Sequence, residues 1–530
     1  MASKVNQILK QSEFKKVQLV AVSLVLIYVF TLYLNYIPSK LEVADFRNEF
    51  VLSNRLSILI IIVLSSVFAF SNYGKILRVS STFETKHVRI FYRLICFITI
   101  WPLITYDYNF FLDTWHIYDR GILLVILIAS FRNLLFLVPT LALVLLIQGQ
   151  FELPVGGAGF LDKRLAFEIL KWTVVFALIK VIFHKKNGLV TDNVWFFGSA
   201  CIASAFYFYS GVAKMQISSN YFNWVTINDV SNNLAAMHAR GWLANMPDFF
   251  EFRYSLFKIT SSLGQLLVFV GELIALVALF SKRLFRLCIG LMLFLHFNVF
   301  FMNGALFMGW ICCCIFLIKY SAKFFVAFNL DLKTKVLSVI LIMVIGQVIS
   351  IPKLGWFDSK IDNRFELFSE TRDNNLKKLS LGSLSPFTIN FQKGIMNNCT
   401  QAKSVNVGFL MFDEKSYLEI DHLNPTEVKE YLDDNGHNSF NSNACFNLSL
   451  ILDALRENKH KYARAQKLLK YVQLPEYWNA HTTDGLSNMS PDDHDFLVKF
   501  TQNVKLENGT YEQVYSEIIY PKNCFDDSKH

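Results

Sequence analysis

Charged residues are scarce in this chain, and that scarcity excludes most soluble folds. Asp, Glu, Lys and Arg make up 18% of its 530 residues, against 53% hydrophobic ones, whereas a soluble domain carries about 25% charged side chains. No Cys-x-x-Cys pair and no Cys/His spacing suited to a metal ion occurs, so no metal site is expected. Repeats and low-complexity tracts are absent too. What is abundant is apolar and aromatic mass, with 51 phenylalanines and a mean hydropathy of +0.35. This composition points to an integral, multi-pass membrane protein whose first partner is the lipid bilayer. The formal net charge of +9 does not argue for nucleic acid. The basic residues cluster in short loops between apolar runs, as cytoplasmic membrane loops do, so no nucleic-acid partner is expected.

Apolar runs lie near 17–36, 56–70, 90–106, 115–131, 133–148, 166–184, 194–214, 258–281, 284–301, 305–320 and 333–351. A helix crossing roughly 30 Å of hydrocarbon needs about 20 such residues. The first run, Val17 to Tyr36, follows Lys4, Lys10, Lys15 and Lys16 and ends at no small-residue cleavage site, so it reads as a retained signal anchor with a cytoplasmic N-terminus. The stretch 115–148 is either one long tilted helix or a hairpin turning at Phe131-Arg132-Asn133. Loop charge favours the hairpin, which puts Lys185, Lys186, Lys282, Arg283, Arg286, Lys319 and Lys323 inside, although Lys40 and Arg47 stay outside against the rule. The expected fold is a polytopic α-helical membrane protein with about 9–11 transmembrane helices over residues 1–354. A small α+β extracytoplasmic domain over 355–530 follows, on the periplasmic, extracellular or lumenal side.

That tail is polar and contains no apolar run of membrane-spanning length. Ser404 to Phe412 and Glu512 to Tyr520 have the composition of strands, and Leu448 to Asn458 and His460 to Val472 have helical spacing. Cys96, Cys201, Cys288 and Cys312 to Cys314 fall inside apolar runs, where thiols pack as small hydrophobes. Cys399, Cys445 and Cys524 are disulfide candidates in the exported tail; one of the three must remain over, and spacing does not say which.

Ionisable groups inside apolar spans are costly, about 2.5–3.5 kcal/mol at mid-bilayer on insertion scales, and so are functional candidates by default. Lys214 ends the run 194–214, in Gly211-Val212-Ala213-Lys214, where a structural helix would carry an apolar or small residue. A snorkelling lysine is the plain alternative. Burial in an apolar pocket disfavours an ammonium, so a lysine held there can serve as a neutral base. Its span carries a small-residue stripe, Gly198, Ser199, Cys201, Ala203 and Ala205, which allows close helix packing. His296 lies in a run flanked by Asn298 and Asn303, and His116 precedes Tyr118 and Gly121; both fall in the same outer leaflet as Lys214. Glu272 is deeper and reads first as a protonated structural carboxyl bonded across helices. Arg240 suits a carboxylate ligand, which guanidinium binds in a bidentate way, and a phospholipid headgroup is its plain alternative.

The stretch Tyr207-Phe208, Gly211 to Met215, Trp224 and Arg240-Gly241-Trp242-Leu243 resembles the core of the vitamin K-dependent gamma-carboxylase family, which carries the horizontally transferred transmembrane (HTTM) domain. The similarity covers roughly Val17 to Lys323. The family's Gly-Val-x-Lys turn matches Lys214, with Ala213 where the family has a first lysine. Its functional histidines match His116 and, in LHFNVFFMNGALFMGW, His296. The resemblance implies a membrane lyase whose catalytic residues are Lys214, His116 and His296; Arg240, Trp242, Glu272 and Asn298 are the candidate substrate-binding residues. It implies a reduced vitamin K or menaquinol-type naphthoquinone from the membrane quinol pool, with O2 and CO2 as co-substrates. Quinol epoxidation would be coupled to proton abstraction and CO2 addition at glutamate of an exported peptide or protein. The tail departs from the family, whose lumenal portion is much longer. Two other classes remain open: a proton-coupled transporter relaying through Glu272 and His296, and a non-catalytic receptor or immunity-type protein acting through its tail.

Overall fold

The computed structural model describes residues 83–105, 116–149, 161–182, 191–244, 246–328, 330–348, 354–371, 375–379, 399–438 and 493–519, with Val67, Phe440 and single positions between 445 and 457. The expected anchor Val17 to Tyr36, most of 56–70, the segment His460 to Val472 and Cys524 lie outside the described residues.

Helices dominate the first part of the chain: α1 (Lys86–Thr105), α2 (His116–Ser130), α3 (Leu137–Gly149), α4 (Arg164–Ile182), α5 (Asp192–Gln216), the short α6 (Asn223–Ile227) and α7 (Ser231–Ala239), then α8 (Pro247–Ile274), α9 (Lys282–Asn303), α10 (Met308–Ala327) and α11 (Leu332–Val348). Among the described residues, five helices are long and apolar enough to cross a membrane: α1, α5, α8 with its 3-10 extension to Phe280, α9 and α10. The stretch 115–148 is two helices rather than one, each shorter than the five candidate spans. Asn133 breaks the run, and its side chain caps the following turn by accepting from the Leu135 amide at 3.0 Å. The expected run 258–281 begins earlier than its hydropathy indicates. Pro247 opens α8 at a position where its missing N–H costs nothing.

Helix α5 is the axis of the bundle: 83% of its apolar window is buried, against 28% for α9. It packs against α4, α8, α10 and α11. Its small-residue stripe does what small residues do in helix packing: Ser199, Cys201, Ala203 and Ala205 are fully buried. Its first residue, Asp192, accepts from the backbone amides of Glu84 (3.2 Å) and Thr85 (2.6 Å). A carboxylate thereby meets the N-terminal end of α1, where free amides and the helix dipole favour negative charge. Trp172 of α4 donates to the Trp195 carbonyl at 2.8 Å, and Trp195 donates to Thr173 at 2.9 Å, so both buried indoles are satisfied.

The C-terminal region holds two sheets. β1 (Phe357–Asp358) pairs antiparallel with β4 (Leu410–Met411). β2 (Ile361–Thr371), β3 (Leu376–Lys378), β5 (Asp493–Lys505) and β6 (Tyr511–Ile519) form an antiparallel sheet in the order β3-β2-β5-β6. Helices α12 (Glu414–Asp421) and α13 (Pro425–Asn435) follow β4. The strand character expected of 404–412 and 512–520 appears as β4 with its flanking bridges and as β6. The described positions between 445 and 457 are helical. Cys445 is disulfide-bonded, whereas Cys399 is a buried free thiol.

This region is not a separate body hung on the bundle. Its core residues Phe357, Met411, Tyr417 and Ile420 form one cluster with Trp224 and Val225 of α6 and Phe269 of α8. Gly355 lies against the end of α5, where an added Cβ would sit 2.6 Å from the Ala213 carbonyl oxygen; only glycine allows that approach. The tail therefore seats on the Lys214 end of the bundle.

Candidate functional site

The end of α5 presents Lys214 to the bundle interior, 7% exposed. Its Nζ donates to both carboxylate oxygens of Glu272, at 2.7 and 2.8 Å, and lies 5.0 Å from the centre of the Trp224 ring. A snorkelling lysine would turn outward to polar surroundings. Instead, this one is held by a buried carboxylate from α8 and by an aromatic face, both attractive to an ammonium group. Glu272 is 2% exposed. The contact depends on close helix approach, because an added Cβ at Gly211 would sit 3.1 Å from the Glu272 Cβ. Glu272 is bonded across helices, as expected from its depth, and its partner is Lys214.

Lys214 and Glu272 line a cavity of about 400 Å³ between α5, α8, α9 and the C-terminal region. His296 and Asn298 of α9 line it as well. His296 is buried, and its Nε2 lies 3.2 Å from the Tyr207 hydroxyl, which is also 3.0 Å from the Cys314 thiol. The rings of Phe307 and Trp310 flank His296 at 5.1 and 5.3 Å. Asn298 donates to the Phe294 carbonyl within its own helix, at 2.9 Å. The rim includes Leu263, Leu267 and Phe294, which are exposed on two neighbouring candidate spans. A membrane-dissolved molecule would meet an apolar mouth there.

Two expected substrate-binding residues lie elsewhere. Arg240 is committed to the tail: its guanidinium donates to Asp362, which also pairs with Arg364, and to the Asn363 carbonyl at 3.0 Å. Burial pushes the Asp362 carboxyl up, but Arg240 and Arg364 outweigh it and hold this group below the ordinary carboxylate range. Arg240 reaches the cavity only indirectly, behind the ring of Phe409, which is 5.5 Å away and part of the cavity wall. Trp242 packs on Phe300 and donates to the Phe301 carbonyl at 3.3 Å, and it is not among the lining residues. His116 begins α2, and its side chain lies outside what is described.

Several lining residues were given no role from sequence. Tyr207 and Trp224 fall within the stretch that carries the resemblance, but their partners are distant in sequence. Trp356 and Asp358 come from the tail, and no local pattern marks them as facing a cavity. Asp358 is buried and accepts from Asn233 (3.1 Å), Asn228 (3.1 Å) and Trp356 (3.3 Å). Burial pushes its carboxyl up to about 6, against the lowering effect of those donors.

No family model, curated protein or solved structure matches the chain.

Proposed function

We propose that this chain is a membrane enzyme in which the Lys214–Glu272 pair accepts a proton from a membrane-dissolved reduced naphthoquinone. Oxygenation of the quinol would be coupled to proton abstraction and CO2 addition at a glutamate of an exported peptide or protein. The observation that carries this reading is the burial of Lys214 on Glu272, 2.7 Å apart, in the wall of an apolar cavity.

The residues fit such a ligand. Ligand cavities run to about 300–1,000 Å³, with mostly apolar walls and a few convergent polar groups; this one is about 400 Å³. Trp224, Phe307 and Trp310 give the cavity wall an aromatic character suited to a ring system, and the rim at Leu263 and Phe294 suits an apolar tail. When bound, a reduced naphthoquinone supplies, together with O2, the strong base that these side chains lack. Lys214 and Glu272 act as one unit. Ammonium–carboxylate and amine–carboxylic acid differ only in the position of a single proton, so Glu272 can take the Lys214 proton and free the amine to act as a base. His296, held by Tyr207, offers a fixed hydrogen-bonding group to developing negative charge. The largely apolar walls disfavour the water that would quench a strong base.

The transporter alternative needs Glu272 and His296 in one relay. Their hydrogen-bond partners are instead Lys214 and Tyr207 respectively. The deciding experiment incubates the reconstituted protein with reduced vitamin K, O2, labelled bicarbonate and a glutamate-rich peptide. Quinone epoxide with label in the peptide supports the full reaction, epoxide alone reduces it to an oxygenase, and neither product refutes it.

A further inference from the structure

We propose that Asp358, supplied by the C-terminal region, is a second proton-transfer group of the cavity and carries protons between its interior and the tail side. The inference rests on the function proposed above.

The ionisable residues lining the cavity, among those described, are Tyr207, Lys214, Glu272, His296 and Asp358, and Asp358 alone comes from the tail. Its carboxylate is held in one orientation. Oδ1 accepts from Asn233 and Trp356, and Oδ2 accepts from Asn228. The backbone is fixed as well: the Asp358 amide donates to Asn228 at 2.7 Å, and its carbonyl accepts from Asn232 at 2.7 Å. Every one of these donors is neutral. A buried carboxylate is ordinarily paired with a cation, as Asp362 is with Arg240 and Arg364 four residues later. Asp358 makes no ion pair among the described residues, although it is 4% exposed.

The titratable neighbours do not neutralise it. Asp229 repels its charge, and Lys505 is drawn to Asp229 instead, at 3.5 Å. The Tyr417 hydroxyl is bonded to the Ile227 carbonyl and the Asp229 amide. With its proton affinity raised to about 6, the carboxyl exchanges protons readily near neutral pH, where a transfer group is most effective. The proton count closes without another reactant. The Lys214–Glu272 pair gains one proton when the substrate acid is deprotonated and must lose it before the next turnover. Asp358 in its carboxylate form takes that proton, becomes a carboxyl, and returns the proton to tail-side water on re-ionising.

The test compares the full-length protein in lipid with Asp358→Asn, Asn233→Ala and Lys214→Ala, following quinol turnover against pH and the protonated-carboxyl infrared band. Turnover of the unaltered protein should fall on acidification with a midpoint near 6. Asn233→Ala removes one donor to the carboxylate and should move that midpoint upward. Asp358→Asn should lose turnover by about 100-fold. A carboxyl band titrating near pH 6 should be present in the unaltered and Lys214→Ala proteins and missing in Asp358→Asn. If Asp358→Asn does not fold, the Asn233→Ala midpoint and the infrared titration of the unaltered protein decide. Lys214-dependent turnover that is indifferent to Asp358→Asn, an unmoved midpoint in Asn233→Ala, or no carboxyl titrating near pH 6 overturns this inference alone. Absence of quinol turnover in the unaltered protein overturns the proposed function and this inference with it.

Discussion

Lys214 Nζ stands 2.7 Å and 2.8 Å from the two carboxylate oxygens of Glu272, with both side chains buried. Removing one member of such a pair leaves the other as an uncompensated buried charge, which costs about 3–5 kcal/mol, whereas replacing both with apolar groups of similar volume is often neutral. Lys214→Ala should therefore destabilise the protein by about 3–5 kcal/mol. The double variant Lys214→Met/Glu272→Leu should be more stable than either single one while remaining inactive. Denaturation of the four proteins in one detergent measures the coupling. Additive losses would mean that the two residues do not act as a unit.

Gly211 sets how closely α8 approaches this pair, with 3.1 Å from its notional Cβ to both the Glu272 Cβ and the Leu273 side chain. Gly211→Ala should be tolerated with reduced turnover. Gly211→Val overpacks the contact and should cost about 1–3 kcal/mol along with the activity. Thermal melts and quinol turnover on the same preparations check both. Full activity in Gly211→Val would show that the helix spacing at Lys214 is not critical.

Asp358 gives the fold an unusual pH response. Its carboxyl sits near 6 in the folded protein against an ordinary 3.8, so between those values the folded state binds more protons than the unfolded one. Its contribution to stability therefore falls as pH rises through that window, by an amount on the order of 3 kcal/mol, and is constant above it. Asp362, whose carboxyl is held low by Arg240 and Arg364, acts in the opposite sense and loses its contribution as pH falls below the ordinary carboxylate range. Melting temperature against pH should thus show a component of falling stability between about 4 and 6 that is missing in Asp358→Asn. An unchanged profile in that variant would contradict the assignment.

Arg240 ties the connection after α7 to the tail sheet through Asp362 and the Asn363 carbonyl. Arg240→Ala leaves the buried Asp362 with Arg364 alone. It should loosen the tail by about 3 kcal/mol, the low end for a broken buried pair. Limited proteolysis within 355–530 should accelerate in this variant. Equal proteolysis rates would mean that the pair contributes little to seating the tail.

Apolar run length located most of the described helices, because long apolar runs have few other solutions. The break at Asn133 was readable from loop charge. The start of α8 at Pro247 was not, since its first turns mix Asp248, Glu251 and Arg253 with Phe249, Phe250 and Phe252 and so break up the apolar run. Lys214, Glu272 and His296 stood out because charge or polarity inside an apolar run is conspicuous. Their pairings were not legible: Lys214 with Glu272 and Tyr207 with His296 are set by how α5, α8 and α9 pack, and spacing along the chain does not encode that. Arg240 was read as open to a ligand because Asp362 is 122 positions away. Asp358 gave no signal, being an ordinary acid in a polar tail until β1 places it against the bundle.

Lys214, working with Glu272, is proposed as the base of a quinol-oxygenating site. The most direct measurement is quinone epoxide formation by the unaltered protein and by Lys214→Ala, each reconstituted in lipid at equal folded concentration with reduced vitamin K and O2. Epoxide should form with the unaltered protein and fall to background in Lys214→Ala. Equal epoxide formation by the two proteins would contradict that role for Lys214.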